Sequence, residues 1–317
     1  MTTLYSHPVA APPADSPYRS YVYGYPHKTA YRPLADAPRL ADVWRDEPTD
    51  ALSLYFHIPF CEVRCGFCNL FTRSTPPAEQ VTAYLEALTR QTAAVAEALG
   101  GTARFARAAL GGGTPTYLTA AELHRLYDLA EHLLGVDLAT IPTSVETSPA
   151  TATPDRLAVL AARGATRISI GVQSFVDAEA HAAGRPQRRA DVDRALAAIR
   201  EHAPAARLNI DLIYGIAGQT PDSWRHSLDT ALAHRPEELY LYPLYVRPLT
   251  GLGRSGRAWD DQRLDLYRRG RDHLLEHGYR QVSMRMFERV DAPSVDGPAY
   301  CCQTDGMVGL GCGARSY

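Results

Sequence analysis

The chain has 317 residues, 45% of them hydrophobic and 21% charged, with a formal net charge of −2. That is the composition of a soluble globular protein able to bury a sizeable core, and the balanced charge offers no footing for nucleic acid or an anionic membrane. No apolar run approaches the ~18 residues of a membrane span, and the stretch from Met1 to Ser20 lacks an apolar signal core. The expected compartment is the cytoplasm, where the six cysteines stay reduced and their clustering reads as metal binding or catalysis rather than cross-linking.

Residues 1–50 are rich in Pro and Tyr, as in Tyr21-Val-Tyr-Gly-Tyr-Pro26, and read as a leader that wraps on the main domain with little regular structure. From Leu52 the chain alternates short β-type runs with longer helical patterns. The expected order is a strand at Leu52–His57, a helix at Glu79–Leu99, a strand at Ala106–Leu110 and a helix at Ala120–Leu134 opened by a Thr119/Glu122 capping box. A strand at Thr143–Thr147 follows, then a helix from Thr153-Pro154 with proline at its first position. Further on come strands at Arg167–Gly171, Leu208–Ile213 and Leu239–Tyr242, with helices at Ala190–His202, Thr220–His234 and Asp261–His277. Gln281–Phe287 is expected to form one more strand. Strand–helix units in unbroken succession call for a parallel α/β sheet. Six of them fit an open, partial (β/α)6 TIM-like barrel better than a closed eight-unit one. This gives a leader over 1–50, a core over 51–290, and over 291–317 the start of a C-terminal region. The glycine-rich ending reads as a cut before the rest of that region.

The strongest chemical signal is His57-Ile-Pro-Phe-Cys61-Glu-Val-Arg-Cys65-Gly-Phe-Cys68, a C-x3-C-x2-C spacing directly after the first strand. Three thiolates in eight residues can converge on one soft metal centre. An iron–sulfur cluster with three protein ligands leaves one iron open to an outside ligand. A structural zinc loop with His57 as fourth ligand is the alternative. Gly66 is expected to allow a tight turn between ligands. Further motifs stand at the carboxyl ends of later strands, where parallel sheets place their ligands: Gly111-Gly-Gly-Thr-Pro-Thr116, Glu146, Gly171-Val-Gln-Ser-Phe175 with Gly184-Arg-Pro-Gln187, and Asn209-Ile-Asp211-Leu-Ile-Tyr-Gly215.

The cysteine loop, with Phe67 before its last cysteine, resembles the signature of the radical S-adenosylmethionine (radical SAM) superfamily. Tyr55-Phe-His-Ile-Pro-Phe-Cys61 and the later motifs resemble its oxygen-independent coproporphyrinogen III oxidase-like branch, over about Leu52 to Tyr317. The resemblance implies a [4Fe–4S] cluster on Cys61, Cys65 and Cys68, and S-adenosylmethionine at its open iron. It also implies reductive cleavage to a 5′-deoxyadenosyl radical that takes hydrogen from an organic substrate, such as a porphyrinogen propionate, with a flavodoxin-like electron donor. Tyr55, Gly112 and Glu146 match residues that hold the cofactor. Phe67, Gly113, Thr114, Gln173, Arg185 and Asp211 match those around a second S-adenosylmethionine in some members. Tyr55 and His57 are the candidates for a direct catalytic part, His57 by hydrogen bonding near the cluster. Tyr245 falls at a variable pocket position and reads as packed. Cys301, Cys302 and Cys312 read as packing or substrate-pocket residues. Gly309-Leu-Gly-Cys-Gly-Ala-Arg-Ser316 resembles a family glycine motif, read as close backbone approach to a ligand. The branch also holds methyltransferases and cyclopropanases that use two S-adenosylmethionine molecules. Haem-handling relatives carry a His-Asn-x-x-Tyr-Trp string, which this sequence lacks.

Overall fold

The computed structural model describes residues 17–18, 32–246, 250–255, 261–302 and 304–317. The aromatic run Tyr21 to Pro26 lies outside them. Within the leader, one short helix, α1 (Leu40–Trp44), stands where little regular structure was expected. After it come β1 (Leu52–Ile58), β2 (Phe60–Cys61), β3 (Arg73–Ser74), α2 (Ala78–Leu99), β4 (Phe105–Gly112), α3 (Ala120–Leu134) and β5 (Thr143–Thr147). The middle of the chain forms α4 (Pro154–Ala162), β6 (Arg167–Gln173), α5 (Asp177–Ala182), α6 (Arg189–His202), β7 (Arg207–Tyr214) and α7 (Pro221–Ala233). The last elements are β8 (Glu238–Pro243), α8 (Gly251–Arg254), α9 (Arg263–Glu276), β9 (Tyr279–Gln281), β10 (Met286–Arg289) and β11 (Met307–Leu310). None of these helices is long and apolar enough to cross a membrane.

The strands β1, β4, β5, β6, β7 and β8 pair in chain order, all parallel, each joined to the next through helix. The expected six-unit α/β core is therefore present, and its sheet stays open, running from β11 at one edge to β9 at the other. Thr119 and Glu122 form the expected capping box on α3, and Thr220 with Ser223 caps α7 in the same way.

Two expectations need correction. The single strand at Gln281–Phe287 is a hairpin: β10 runs antiparallel to both β8 and β9. Ser283 breaks the run, because its Oγ accepts hydrogen bonds from the amides of Arg285 and Met286 and draws the backbone out of an extended path. The sheet also continues past residue 290, since β11 lies parallel to β1 with Ser53 opposite Met307 and Phe56 opposite Leu310. The glycines that follow serve this packing. A Cβ on Gly309 would fall 2.2 Å from the Arg315 carbonyl, and one on Gly311 would fall 2.6 Å from the His57 carbonyl. They let the chain close on itself and on the end of β1.

The sheet has two unlike faces. Ile168, Ile170, Leu208, Ile210, Leu239 and Leu241 are fully buried in the apolar core. Side chains alternate along a strand, so the intervening residues share the opposite, interior face: Ser144 and Glu146, Arg167 and Ser169, Asn209 and Asp211, Glu238 and Tyr240. Register aligns them, with Glu146 opposite Ser169, Ser169 opposite Asn209 and Asp211 opposite Tyr240.

Candidate cofactor site

The interior face opens at the carboxyl ends of the strands into a cavity of about 330 Å³. Cys61, Cys65 and Cys68 all line it, together with Phe67, Gly112, Gly113, Thr114, Glu146, Gln173, Arg185, Asp211 and Tyr245. The two-stranded pair β2–β3 brackets the cysteine loop, with Cys61 opposite Ser74. Gly66 sits in the expected turn between ligands, closed by the Cys68 amide donating to the Cys65 carbonyl at 3.0 Å. It also seats the loop: the amide of Gly66 donates to the carbonyl of Ala183 at 3.1 Å, and a Cβ there would meet that oxygen at 2.9 Å and the Gly184 Cα at 3.2 Å. Only glycine permits that approach.

Each sulfur meets one polar side chain. Thr114 Oγ1 donates to Cys61 Sγ at 3.7 Å, Arg185 Nη1 donates to Cys65 Sγ at 3.5 Å, and Thr72 Oγ1 lies 3.9 Å from Cys68 Sγ. Burial pushes the Cys61 thiol up to about 11, the state of a sulfur without a cation. Coordination reverses this, because the thiolate is the ligating form. Three sulfurs at one end of one cavity fit a cluster held by three cysteines.

The zinc alternative needs a ring nitrogen of His57, and both are engaged. A carbonyl only accepts, so His57 donates its Nε2–H to the Phe71 carbonyl at 2.9 Å; Nδ1 then accepts from the Tyr55 hydroxyl at 3.2 Å. His57 is buried, which holds its pKa below the ordinary value and keeps it neutral. Neither Tyr55 nor His57 lines the cavity. His57 fixes the far end of the cysteine loop and Tyr55 fixes His57, while the Tyr55 ring also borders Gly111 beside the Glu146 carboxyl: a Cβ on Gly111 would meet Tyr55 Cε2 at 3.1 Å and Glu146 Oε2 at 3.2 Å. Cys301, Cys302 and Cys312 are exposed and do not line the cavity either.

Glu146 forms part of the cavity wall. The Gly112 amide donates to its Oε2 at 3.2 Å. Gly112 has φ +109, and a Cβ there would fall 2.7 Å from the His57 ring, so glycine is required on two counts. Glu146 is open to cavity water yet walled in by protein. Desolvation, and then the nearby Asp211 carboxylate, push it up to about 7 against the pull of the Gly112 amide and Arg167. Asp211 is also raised by burial, against Arg167 and hydrogen bonds from Asn209 at 2.7 Å and Ser169 at 3.2 Å. Arg185 spans the two ends of the site. Its Nε holds Gln187 Oε1 at 2.6 Å while Nη1 reaches Cys65, and a Cβ on Gly171 would meet Gln173 Nε2 at 2.8 Å and Arg185 Nη1 at 3.6 Å. Gln173 itself carries φ +69, a backbone state that functional sites often hold.

Sequence reasoning missed the layer beneath. Arg167 reaches Glu238 at 2.6 Å and Ser144 at 2.9 Å, and its charge acts on both acids of the cavity. The signal was available as period-two polarity within strands otherwise rich in Ile and Leu. Thr72 was also missed; nothing in its spacing marks it.

The sequence model of the radical SAM superfamily matches residues 55–231, more than half of the chain. A heme chaperone, HemW, of Bacillus subtilis (strain 168) is 30% identical over 271 residues, covering 84% of this chain and 70% of that protein. An oxygen-independent coproporphyrinogen III oxidase of Paracoccus denitrificans is 32% identical over 277 residues, covering 84% of this chain and 60% of that one. Among solved structures, coproporphyrinogen III oxidase (HemN) from Escherichia coli, a radical SAM enzyme, superposes with a TM-score of 0.80 at 27% identity, over 94% of this chain and 72% of its own. The chain thus spans 60% of the Paracoccus oxidase and 70% of the Bacillus chaperone. Proteins of this kind carry a [4Fe–4S] cluster and S-adenosylmethionine, and the cysteine triad that such a cluster needs is in place at Cys61, Cys65 and Cys68. By motif, fold and relatives, the chain belongs to the radical SAM superfamily.

Proposed function

We propose that this chain binds S-adenosylmethionine beside the cysteine triad and takes a hydrogen atom from an organic substrate at the cavity mouth. The observation that carries this reading is the meeting, in one cavity, of three cysteine sulfurs with the Gly112–Glu146 pair and Asp211. When bound, the cluster supplies the electron that splits the sulfonium of S-adenosylmethionine. The protein's part is to bind and orient. Glu146 Oε2 is held by Gly112, which leaves Oε1 as acceptor for an ammonium, and an ammonium in turn favours the ionised carboxyl. Arg185 sets a positive charge beside Cys65. Gln173, Arg185 and Asp211 form a polar flank for a second ligand or the substrate.

The substrate we put forward is a porphyrinogen bearing propionate side chains, after the activity for which the Paracoccus relative is named. Loss of a hydrogen atom, carbon dioxide and one further electron to an acceptor would leave a vinyl group. A flavodoxin-like protein is the electron donor proposed. The test is anaerobic reconstitution followed by product analysis with and without coproporphyrinogen III. The expected result is about four irons per chain, 5′-deoxyadenosine formation, and a vinyl porphyrin. S-adenosylhomocysteine would move the reaction to methyl transfer. Tight haem retention without 5′-deoxyadenosine would overturn the enzymatic reading in favour of the role named for the Bacillus relative.

A further inference from the structure

A second group of ligating side chains stands on the outer helical layer, remote from the cysteine cavity in chemistry and in lining residues. His273 lies in the last turn of α9, His277 caps its end one turn on, and α7 brings Asp229 against them. Their ligand atoms all lie within 4.8 Å of one another. His273 Nε2 is 2.7 Å from Asp229 Oδ1, and the two imidazole rings stand 4.2 Å apart between centroids. His277 Nδ1 lies 2.7 Å from the His273 carbonyl. A carbonyl only accepts, so Nδ1 carries the proton and Nε2 carries the lone pair. Tying one ring nitrogen to a carbonyl is how proteins aim the other at a metal.

We propose that Asp229, His273 and His277 form a site for a divalent transition ion, zinc foremost, which staples α7 to α9. Two imidazoles and a carboxylate are the donors of a three-ligand zinc site, with water completing the coordination. The set also suits nickel or copper, and it contains none of the sulfur that the cavity offers. In the metal-free state His273 Nε2–H donates to Asp229. On binding, that proton moves to Nδ1 or to solvent, and the ion takes its place between the two side chains. The staple has a consequence for the cavity. α9 begins at Arg263, whose buried guanidinium donates to the Leu244 carbonyl at 3.1 Å, and Leu244 lines the cysteine cavity. An ion at the far end of α9 holds in place the helix that backs this wall.

The test is calorimetric titration of cluster-loaded protein with zinc, alongside cobalt absorption spectra. The expected result is one high-affinity ion per chain, a higher thermal midpoint with zinc, and a cobalt spectrum without sulfur-to-metal charge transfer. His277→Gln, and separately Asp229→Asn, should weaken binding by more than about tenfold and abolish the zinc-dependent rise, each judged against the same variant's own midpoint without zinc. Wild-type zinc affinity in both variants would overturn the proposal, as would absence of any binding, or a sulfur signature showing that the ion sits on cysteine.

Discussion

Replacing Glu146 with glutamine keeps the shape of the side chain and removes its ionisation. In the folded protein this carboxyl titrates at about 7, against an ordinary value of 4.5, because burial and Asp211 disfavour its charge. The folded state therefore holds the proton more tightly than the unfolded chain. This residue's contribution to stability is complete below about pH 4.5 and is lost as pH rises through about 7. A fully shielded carboxyl displaced this far would disfavour the folded state at high pH by about 3.4 kcal/mol, at about 1.36 kcal/mol for each tenfold change in proton affinity. Glu146 opens onto cavity water, which screens the charge, so about 1–2 kcal/mol is the working figure. The cofactor-free Glu146→Gln protein should thus exceed wild type by about 1–2 kcal/mol at pH 8, with the gap narrowing towards pH 5. Urea unfolding under reducing conditions at the two pH values measures this, provided the slope with denaturant stays constant. S-adenosylmethionine affinity should move the opposite way, falling about tenfold to a hundredfold at pH 8, since a charge-assisted hydrogen bond to an ammonium is lost. A variant less stable than wild type at pH 8, or one that binds S-adenosylmethionine as well, would refute the reasoning.

Gly113→Ala places a Cβ 2.6 Å from the Phe60 carbonyl and 2.9 Å from Cys61 Sγ. It should cost about 1–3 kcal/mol by overpacking and lower the iron bound per chain after reconstitution. His57→Phe fills the space but takes the donor from the Phe71 carbonyl, for a loss of about 1–3 kcal/mol and faster amide exchange over residues 69–72. Because burial lowers the His57 pKa below 6.5, wild type should lose stability as pH falls below that value, and His57→Phe should lack this acid-side loss. Arg167→Met removes one of two arginines from Glu238, which is 4% exposed, while Arg207 remains at 3.4 Å. The expected loss is about 2–3 kcal/mol, less than an orphaned buried charge would cost. Thermal unfolding checks it, and adding Glu238→Gln should recover part of the loss.

What could be read from the sequence was what periodicity and local chemistry govern. The six parallel strands and the helices between them followed from apolar spacing and from caps such as Thr119/Glu122. Most cavity residues followed from motifs at strand ends, whereas the motif with Arg185 comes after α5, a short helix that the sequence reading did not expect. What escaped depended on contacts distant in sequence. Nothing local tells Met307–Leu310 to join β1, because that pairing spans some 250 residues and its glycines fit the Arg315 and His57 carbonyls only once the chain has folded back. His57 could be read as a hydrogen-bonding neighbour of the cluster, or in the zinc alternative as a fourth ligand, but a ring nitrogen's partner, here Phe71, cannot be read from spacing. Ser283 looked like a strand residue because the alternation ran through it, and its side chain's hold on two amides prevailed over that pattern.

The two faces of the sheet divide the work of the fold. Fully buried Ile168, Ile170, Leu208 and Ile210 carry the hydrophobic stabilisation on the helix-covered side, each contributing on the order of 1.5–3 kcal/mol. The interior face does the reverse. Glu146 and Asp211 are held there above their ordinary pKa values, and Arg167 is desolvated against Glu238. Charges in such places are weak contributors to stability, and their removal is expected to stabilise where no ion pair is lost, as at Glu146, and to destabilise where one is, as at Arg167, although Arg207 stays beside Glu238. Shared polarity thus does not make these residues equivalent. Glu146 is held above its ordinary value in spite of Arg167, so a further cation in the cavity would favour its ionised form, whereas Arg167 already has its counter-charges in Glu238 and Asp211. On the function proposed above, a ligand bearing an ammonium group would complete the electrostatics at one layer of this face only, that of Glu146 and the cysteine loop.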